Sequence, residues 1–144
     1  MAITQAMATS FKVQILAGQQ NLTSGASPVY KVALYTSSAT LDSTTTAYTT
    51  LNEQTSSGSN YTAGGNTLTI STSPTSTSNV AFMSFANSSW TNANITAAGA
   101  LIYNSTANTA VAVLSFGGDK TATNGTFTII FPTADSTNAI IRIA

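Results

Sequence analysis

From Gly65 onward the chain sets short apolar runs between turn signals at a spacing of roughly ten residues, and this rhythm constrains the fold more than any other feature. Residues 66–71 place Leu68 and Ile70 on one face and Thr67 and Thr69 on the other, the period-two signature of a strand. Residues 79–85 form the next run, with Phe82 or Phe85 inward, and residues 94–103 follow, rich in Ala. Residues 109–116 (TAVAVLSF) are almost continuously apolar, as expected of a central strand covered on both faces. Residues 126–131 alternate again, with Phe127, Ile129 and Phe131 inward and Pro132 as the stop, and residues 138–143 make the last run. The stretches between them read as connections. STSPTSTS (71–78) is a polar low-complexity loop, residues 87–91 hold Trp90, residues 104–108 are a turn, and GGDKTATNG (117–125) is a hairpin-type loop. Seven or more short strands of this kind predict an all-β chain, an antiparallel β-sandwich of jelly-roll or immunoglobulin-like type.

Upstream of Gly65 the signals are mixed. Residues 29–35 alternate, with Tyr30, Val32 and Leu34 on one face and Lys31, Ala33 and Tyr35 on the other, which predicts a strand with one buried face. Ile3, Met7, Phe11 and Ile15 fall four apart with Leu16 beside them, and Gly18 follows where a helix C′ residue belongs. The spacing predicts a helix of about three turns covering one end or face of the sandwich, although residues 11–15 also alternate as a strand would. Residues 1–18 are thus an N-terminal helix or arm, and residues 19–28 a turn-rich connection. Residues 36–60 are a long Ser/Thr-rich excursion, expected to be pinned to the body at Leu41, Tyr48 and Leu51, with room for a short strand near Tyr48. Loops of this length are usually functional or disordered. Tyr61 and a tight turn at Gly64-Gly65 close the excursion.

A chain of 144 residues fits one domain, residues 1–144, and is long enough to bury a core without staples. Charged residues are only 6% of it, against roughly a quarter in ordinary soluble proteins. The bases are Lys12, Lys31, Lys120 and Arg142, the acids Asp42, Glu53, Asp119 and Asp135, and they cancel. Phosphate binding needs clustered Lys and Arg, and anionic lipid needs a polybasic patch, so neither nucleic acid nor membrane is an expected partner. Near-zero net charge also leaves little repulsion between copies in an assembly. There is no Cys, the N-terminus lacks the charge-then-apolar pattern of a secretory signal, and no apolar run approaches the ~20 residues of a membrane span. A soluble protein that does not use the usual secretory signal is expected.

The chemistry-bearing residues are few. Without His or Cys, Ser-His-Asp and Cys-His arrangements are impossible, and Ser is so common that one near Lys120 is expected by chance. Asp119 and Asp135 lie on predicted loops flanking one strand, and a glycosidase needs two acids about 5–9.5 Å apart. Asp is also a turn residue, and the favoured reading gives Asp119 a turn with Gly117, Gly118 and Lys120, and Asp135 a turn after Pro132. Zinc and copper want His or Cys, and neither a calcium loop nor a phosphate-binding glycine frame is present. No catalytic, cofactor-binding or metal-ligating residue is therefore assigned, no cofactor is expected, and the chain does not read as an enzyme. Trp90, Tyr48 and Tyr61 are candidate stacking platforms for a carbohydrate, with burial of Trp90 and Tyr61 as loop anchors the favoured reading. Six N-x-[ST] sequons, at Asn21, Asn60, Asn87, Asn94, Asn104 and Asn124, follow from composition alone.

Several motifs occur together: VYKVALYTSSATLDSTTTAYT, NYTAGG, W-x4-ITAAGALIYNST, VLSFGGDKTATNGTFTIIFP and the C-terminal NAIIRIA. In this combination the chain resembles a family of small tailed-bacteriophage virion proteins over residues 10–144. It departs from that pattern at Ala98, where a basic residue is expected, and in the rewritten stretch TSSGSN before Tyr61. The resemblance implies a non-enzymatic structural role: a capsid decoration or cement protein, made in the host cytoplasm, that sits on the outside of the virion shell. Its partners would be the major capsid protein and itself, as a dimer or trimer, and the shell-contacting parts would be residues 36–60 and the N-terminal segment. The alternative is a tail or fibre module that recognises host carbohydrate; a tail-tube or adaptor component is a third assignment.

Overall fold

In a computed structural model that describes residues 2–144, the chain runs β1 (Ala6–Met7), α1 (Thr9–Leu16), β2 (Tyr30–Tyr35), β3 (Asn66–Thr67), β4 (Ile70–Thr77), β5 (Val80–Phe85), β6 (Ser88–Asn104), β7 (Thr109–Ile129) and β8 (Ile141–Ile143). All named strand pairings are antiparallel. One sheet has the order β1-β7-β6-β2-β3 and the other β4-β5-β8. The mainly β fold and the short N-terminal helix expected from the sequence are both present.

The large sheet is built on the hairpin of its two longest strands, β6 and β7. Asn104 turns this hairpin: its Oδ1 accepts the backbone N–H groups of Thr106 (3.0 Å) and Ala107 (3.1 Å), while Asn108 adopts φ +51°. Polar side chains that bond the nearby backbone are what tight turns require. Next to the turn, residues 97–104 of β6 and 110–114 of β7 are buried, so this part of the hairpin is covered on both faces. Val32 and Leu34 of β2, Leu101 and Ile102 of β6 and Val111 and Val113 of β7 are wholly buried. Each such side chain contributes roughly 1.5–3 kcal/mol through removal from water. The small sheet joins this core through Phe85, whose ring lies 6.1 Å from Tyr30 and 5.7 Å from Phe131. Tilted aromatic pairs at such separations add to their area burial.

The helix is shorter than its four-residue apolar spacing predicts. Only residues 9–16 are helical, whereas Ala6 and Met7 pair with Val113 and Ala112, and Ile3 bridges Leu41. Four-residue spacing does not distinguish a helix from an extended arm that uses Ile3 and Met7 separately, and pairing with β7 decides it here. The C-terminus ends as the sequence indicates: Gly18 takes φ +69°, its N–H bonds to the Ile15 carbonyl, and the Gln19 N–H bonds to the Gln14 carbonyl. This is the paired closure of a Schellman motif.

Other expectations need correction. Residues 71–77 are not a loop but most of β4, with only Ser78 in the turn that follows, and Pro74 falls where the register shifts between Thr72 and Thr75, on an edge strand that tolerates a missing N–H. Residues 117–125 do not form a hairpin loop either; β7 continues through them, and Gly117 and Gly118 form an irregularity opposite Ala98. The strand expected at 94–103 begins at Ser88 and includes Trp90. β2 is buried on both faces, with Ala33 and Tyr35 as inaccessible as Val32 and Leu34. Leu51, expected to pin the long loop, is 70% exposed. Tyr48 lies in no strand; the local bridge pairs Glu53 with Tyr35.

Candidate functional site

Two places in the fold carry unusual chemistry, one an internal anchor and the other a surface. The anchor organises residues 36–60. Backbone hydrogen bonds fix this segment at intervals: the Thr4 N–H to Leu41, the Ala110 N–H to Thr46, the Gln54 N–H to Leu34 and the Asn94 N–H to Ser59, each 2.8–2.9 Å. Glu53 sits at its centre. The carboxylate accepts the Tyr48 hydroxyl on one oxygen, and the Tyr61 hydroxyl and Gly64 N–H on the other, all at 2.7 Å. The Tyr61 oxygen in turn accepts the Leu34 N–H at 3.0 Å, and the Tyr103 hydroxyl donates to the Gly64 carbonyl at 2.7 Å. Tyr48 stacks on Tyr103 with ring centroids 4.7 Å apart.

Burial is the main reason the hydroxyls of this cluster resist ionisation. It pushes Tyr103 up to about 12, with the charge of Glu53 adding to the effect. Burial also raises Tyr61 and Tyr48, and there the hydrogen bond to Glu53 reinforces it because the neutral hydroxyl is the donor. A carboxylate held by three donors and ringed by neutral phenols is built to lock a loop. Beside it Glu53 and Asp119 line a shallow polar depression of about 350 Å³ with Thr36, Gln54, Asn94 and Thr96.

Asp119 shares the depression with Glu53, not with Asp135. Asp135 closes its own turn: one oxygen accepts the N–H groups of Thr137 (2.8 Å) and Asn138 (2.7 Å), and the Asn138 amide also donates to the carboxylate. The Asn138 and Thr137 donors hold its carboxyl below the usual range. Trp90 is 5% exposed and Tyr61 2%, so these rings are core anchors, with Tyr61 at 5.9 Å and Phe127 at 6.2 Å from the Trp90 ring. The Trp90 Nε1–H is buried and has no hydrogen-bond partner among the described residues. Tyr48 is half-buried by its stacking. Among the sequon asparagines, Asn87 accepts the Phe131 N–H, Asn94 and Asn124 bond each other, and Asn104 turns the long hairpin. Among the described residues no three acidic side chains gather as a metal site, and no helix is long and apolar enough to cross a membrane.

The surface lies between α1 and β8. Register places Ile143 opposite Ala81 and Ile141 opposite Met83, so these four residues share a face of the small sheet. That face, with Ile15 and Leu22, lines a groove of about 260 Å³. An adjoining hollow of about 460 Å³ is lined by Met7, Lys12, Ile15, Leu16, Arg142 and Ile143. Leu16 is 89% exposed, Val13 61% and Ile143 50%. Family models, curated proteins and solved structures offer no match to this chain. Periodicity did not reveal the surface, because it assigned Leu16 to the inward side of a helix whose wholly buried residue is Phe11.

Proposed function

We propose that this chain is a structural protein of tailed-phage virions, a decoration or cement protein that binds the outside of the major capsid shell and stabilises it. The reading starts from the motif combination that resembles small phage virion proteins. The observation that carries it further is the exposed apolar face between α1 and β8. Apolar side chains as open as Leu16 and Ile143, lining one hollow beside an open sheet edge, mark an interaction surface. Its α1 side belongs to the N-terminal segment expected to meet the shell, and its β8 side to the C-terminal strand. Leu51, exposed on an otherwise anchored loop, offers a second contact. Binding that exists only in the assembled particle adds its free energy to particle stability. Self-association as a dimer or trimer belongs to the same reading.

The test is copy number in purified virions, measured by quantitative mass spectrometry against the major capsid protein. A simple stoichiometric fraction of the capsid protein is the expected result. A count matching a single tail or portal ring would overturn shell decoration and move the chain to the tail axis.

A further inference from the structure

β8 is an edge strand. Among the described residues its backbone hydrogen bonds run to β5, and none reaches Ile141–Ile143 from the opposite side. Such an edge is a template for another strand. Met7 and Arg142 line both the large hollow described above and a further one of about 340 Å³ with Gln5, Pro132 and Asn138. Because Met7 belongs to β1, itself an edge of the large sheet, the hollow lies between the open edges of the two sheets.

Charge narrows the occupant. Two of the chain's four bases, Lys12 and Arg142, line the large hollow, and no carboxylate does among the described residues. The Arg142 guanidinium donates to the Ser136 carbonyl at 3.2 Å, and Asp135, whose carboxyl the Arg142 charge helps to hold down, is engaged mainly by Asn138 and Thr137. A second copy of the chain fits poorly here. Antiparallel self-pairing centred on this three-residue strand sets Arg142 opposite Arg142, and like charges directly opposed across a ladder are destabilising.

We propose that β8 and the adjoining hollow receive an extended segment of a different protein. That segment adds as a strand along β8, places apolar side chains against Leu16, Ile15 and Ile143, and presents carboxylates to Lys12 and Arg142. Main-chain bonds would supply affinity, and the apolar contacts and charge would supply selection. The inference deepens the shell-binding reading by specifying the chemistry of the partner at that surface.

The probe is a capped peptide, Glu-Val-Thr-Val-Glu-Val-Thr-Val-Glu, titrated into the full-length protein and followed by amide NMR shifts and hydrogen exchange. A peptide with Lys replacing Glu is the control. The expected result is slowed exchange at Ile141, Arg142 and Ile143 with the acidic peptide and little response to the basic one. The double variant Lys12→Glu, Arg142→Glu should bind the acidic peptide roughly tenfold more weakly, the loss expected from reversing two partly exposed charge contacts. Its melting temperature should fall only slightly, since both positions are exposed and Arg142 makes a single exposed hydrogen bond, to Ser136. Equal binding of both peptides, binding elsewhere, or no binding would overturn the proposal. So would a concentration-dependent dimer that protects β8, which would make a second copy the occupant. Virion copy number separates the two claims: many copies without peptide binding at β8 remove this inference alone, whereas few copies with such binding remove the shell and keep the edge.

Discussion

Glu53 gathers three donors, from Tyr48, Tyr61 and Gly64, on one carboxylate. Removing its side chain leaves the hydroxyl of Tyr61, a residue 2% exposed, and the Gly64 N–H without their acceptor, and also frees Tyr48. Leaving buried donors unpaired costs about 1–3 kcal/mol each, so Glu53→Ala should destabilise the fold by about 2–4 kcal/mol. Glu53→Gln keeps one oxygen for Tyr61 and Gly64 and turns an amide toward Tyr48, whose hydroxyl can accept, so a loss of only about 1 kcal/mol is expected. Urea unfolding of the two variants tests this directly. Equal losses would mean that one amide oxygen cannot replace the carboxylate and that both of its oxygens are needed as acceptors. The sequence pointed to Tyr48 and Tyr61 as anchors but gave no signal that Glu53 joins them. The three donors come from positions 48, 61 and 64, and no local spacing rule links them.

At the scale of elements, two glycines separate necessity from convenience. Gly65 leads into β3 with φ +73°, and a Cβ there would lie 1.8 Å from the Val32 carbonyl oxygen of the neighbouring strand. Gly65→Ala therefore has to move β3 away from β2, and a loss of about 3 kcal/mol or more is expected from strain and overpacking together. Gly117 has the same φ, +73°, but a Cβ there meets nothing within 4 Å. Gly117→Ala should cost only the backbone penalty, roughly 1–2 kcal/mol. Denaturant midpoints of the two variants provide the check, and similar losses would show that φ alone governs both sites. The same comparison shows why the turn at Gly64-Gly65 was legible and the region of Gly117 was not. In both places a glycine pair signals unusual backbone. At Gly65 the chain changes direction, whereas at Gly117 it takes five steps from Lys120 to Ser115 while β6 takes two from Ala97 to Gly99, and the ladder then resumes. Local sequence reports the bend; the partner strand decides whether it is a turn or a bulge. The polar run 71–78 misled for a related reason. Ser and Thr suit an exposed edge strand as well as a loop, and only pairing with β5 distinguishes them.

For the molecule as a whole, the low charge leaves the tyrosines as its most informative titrating groups. The chain has five, and all are shifted in one direction. Burial pushes Tyr30 and Tyr103 up to about 12, and burial first, with Glu53 contributing, raises Tyr35, Tyr48 and Tyr61 as well. In the unfolded chain a tyrosine ionises near ~10. Between that value and the raised folded values the native state holds protons that the unfolded state has released, so stability must fall as pH rises through this window. The contribution is fully present below about pH 10 and is lost above it. Absorbance at the phenolate band during an alkaline titration should show no tyrosine ionising at its ordinary value while the fold persists. All five should then appear together in one cooperative step coincident with loss of the β-sheet circular dichroism signal. Reversible ionisation of Tyr48 or Tyr61 near the ordinary value in the intact protein would mean that the loop around Glu53 opens in solution. Residues 36–60 would then be a mobile contact segment, not a fixed wall of the fold. A single late step would keep residues 36–60 as a fixed wall, and the exposed Leu51 would then meet a partner from a rigid body.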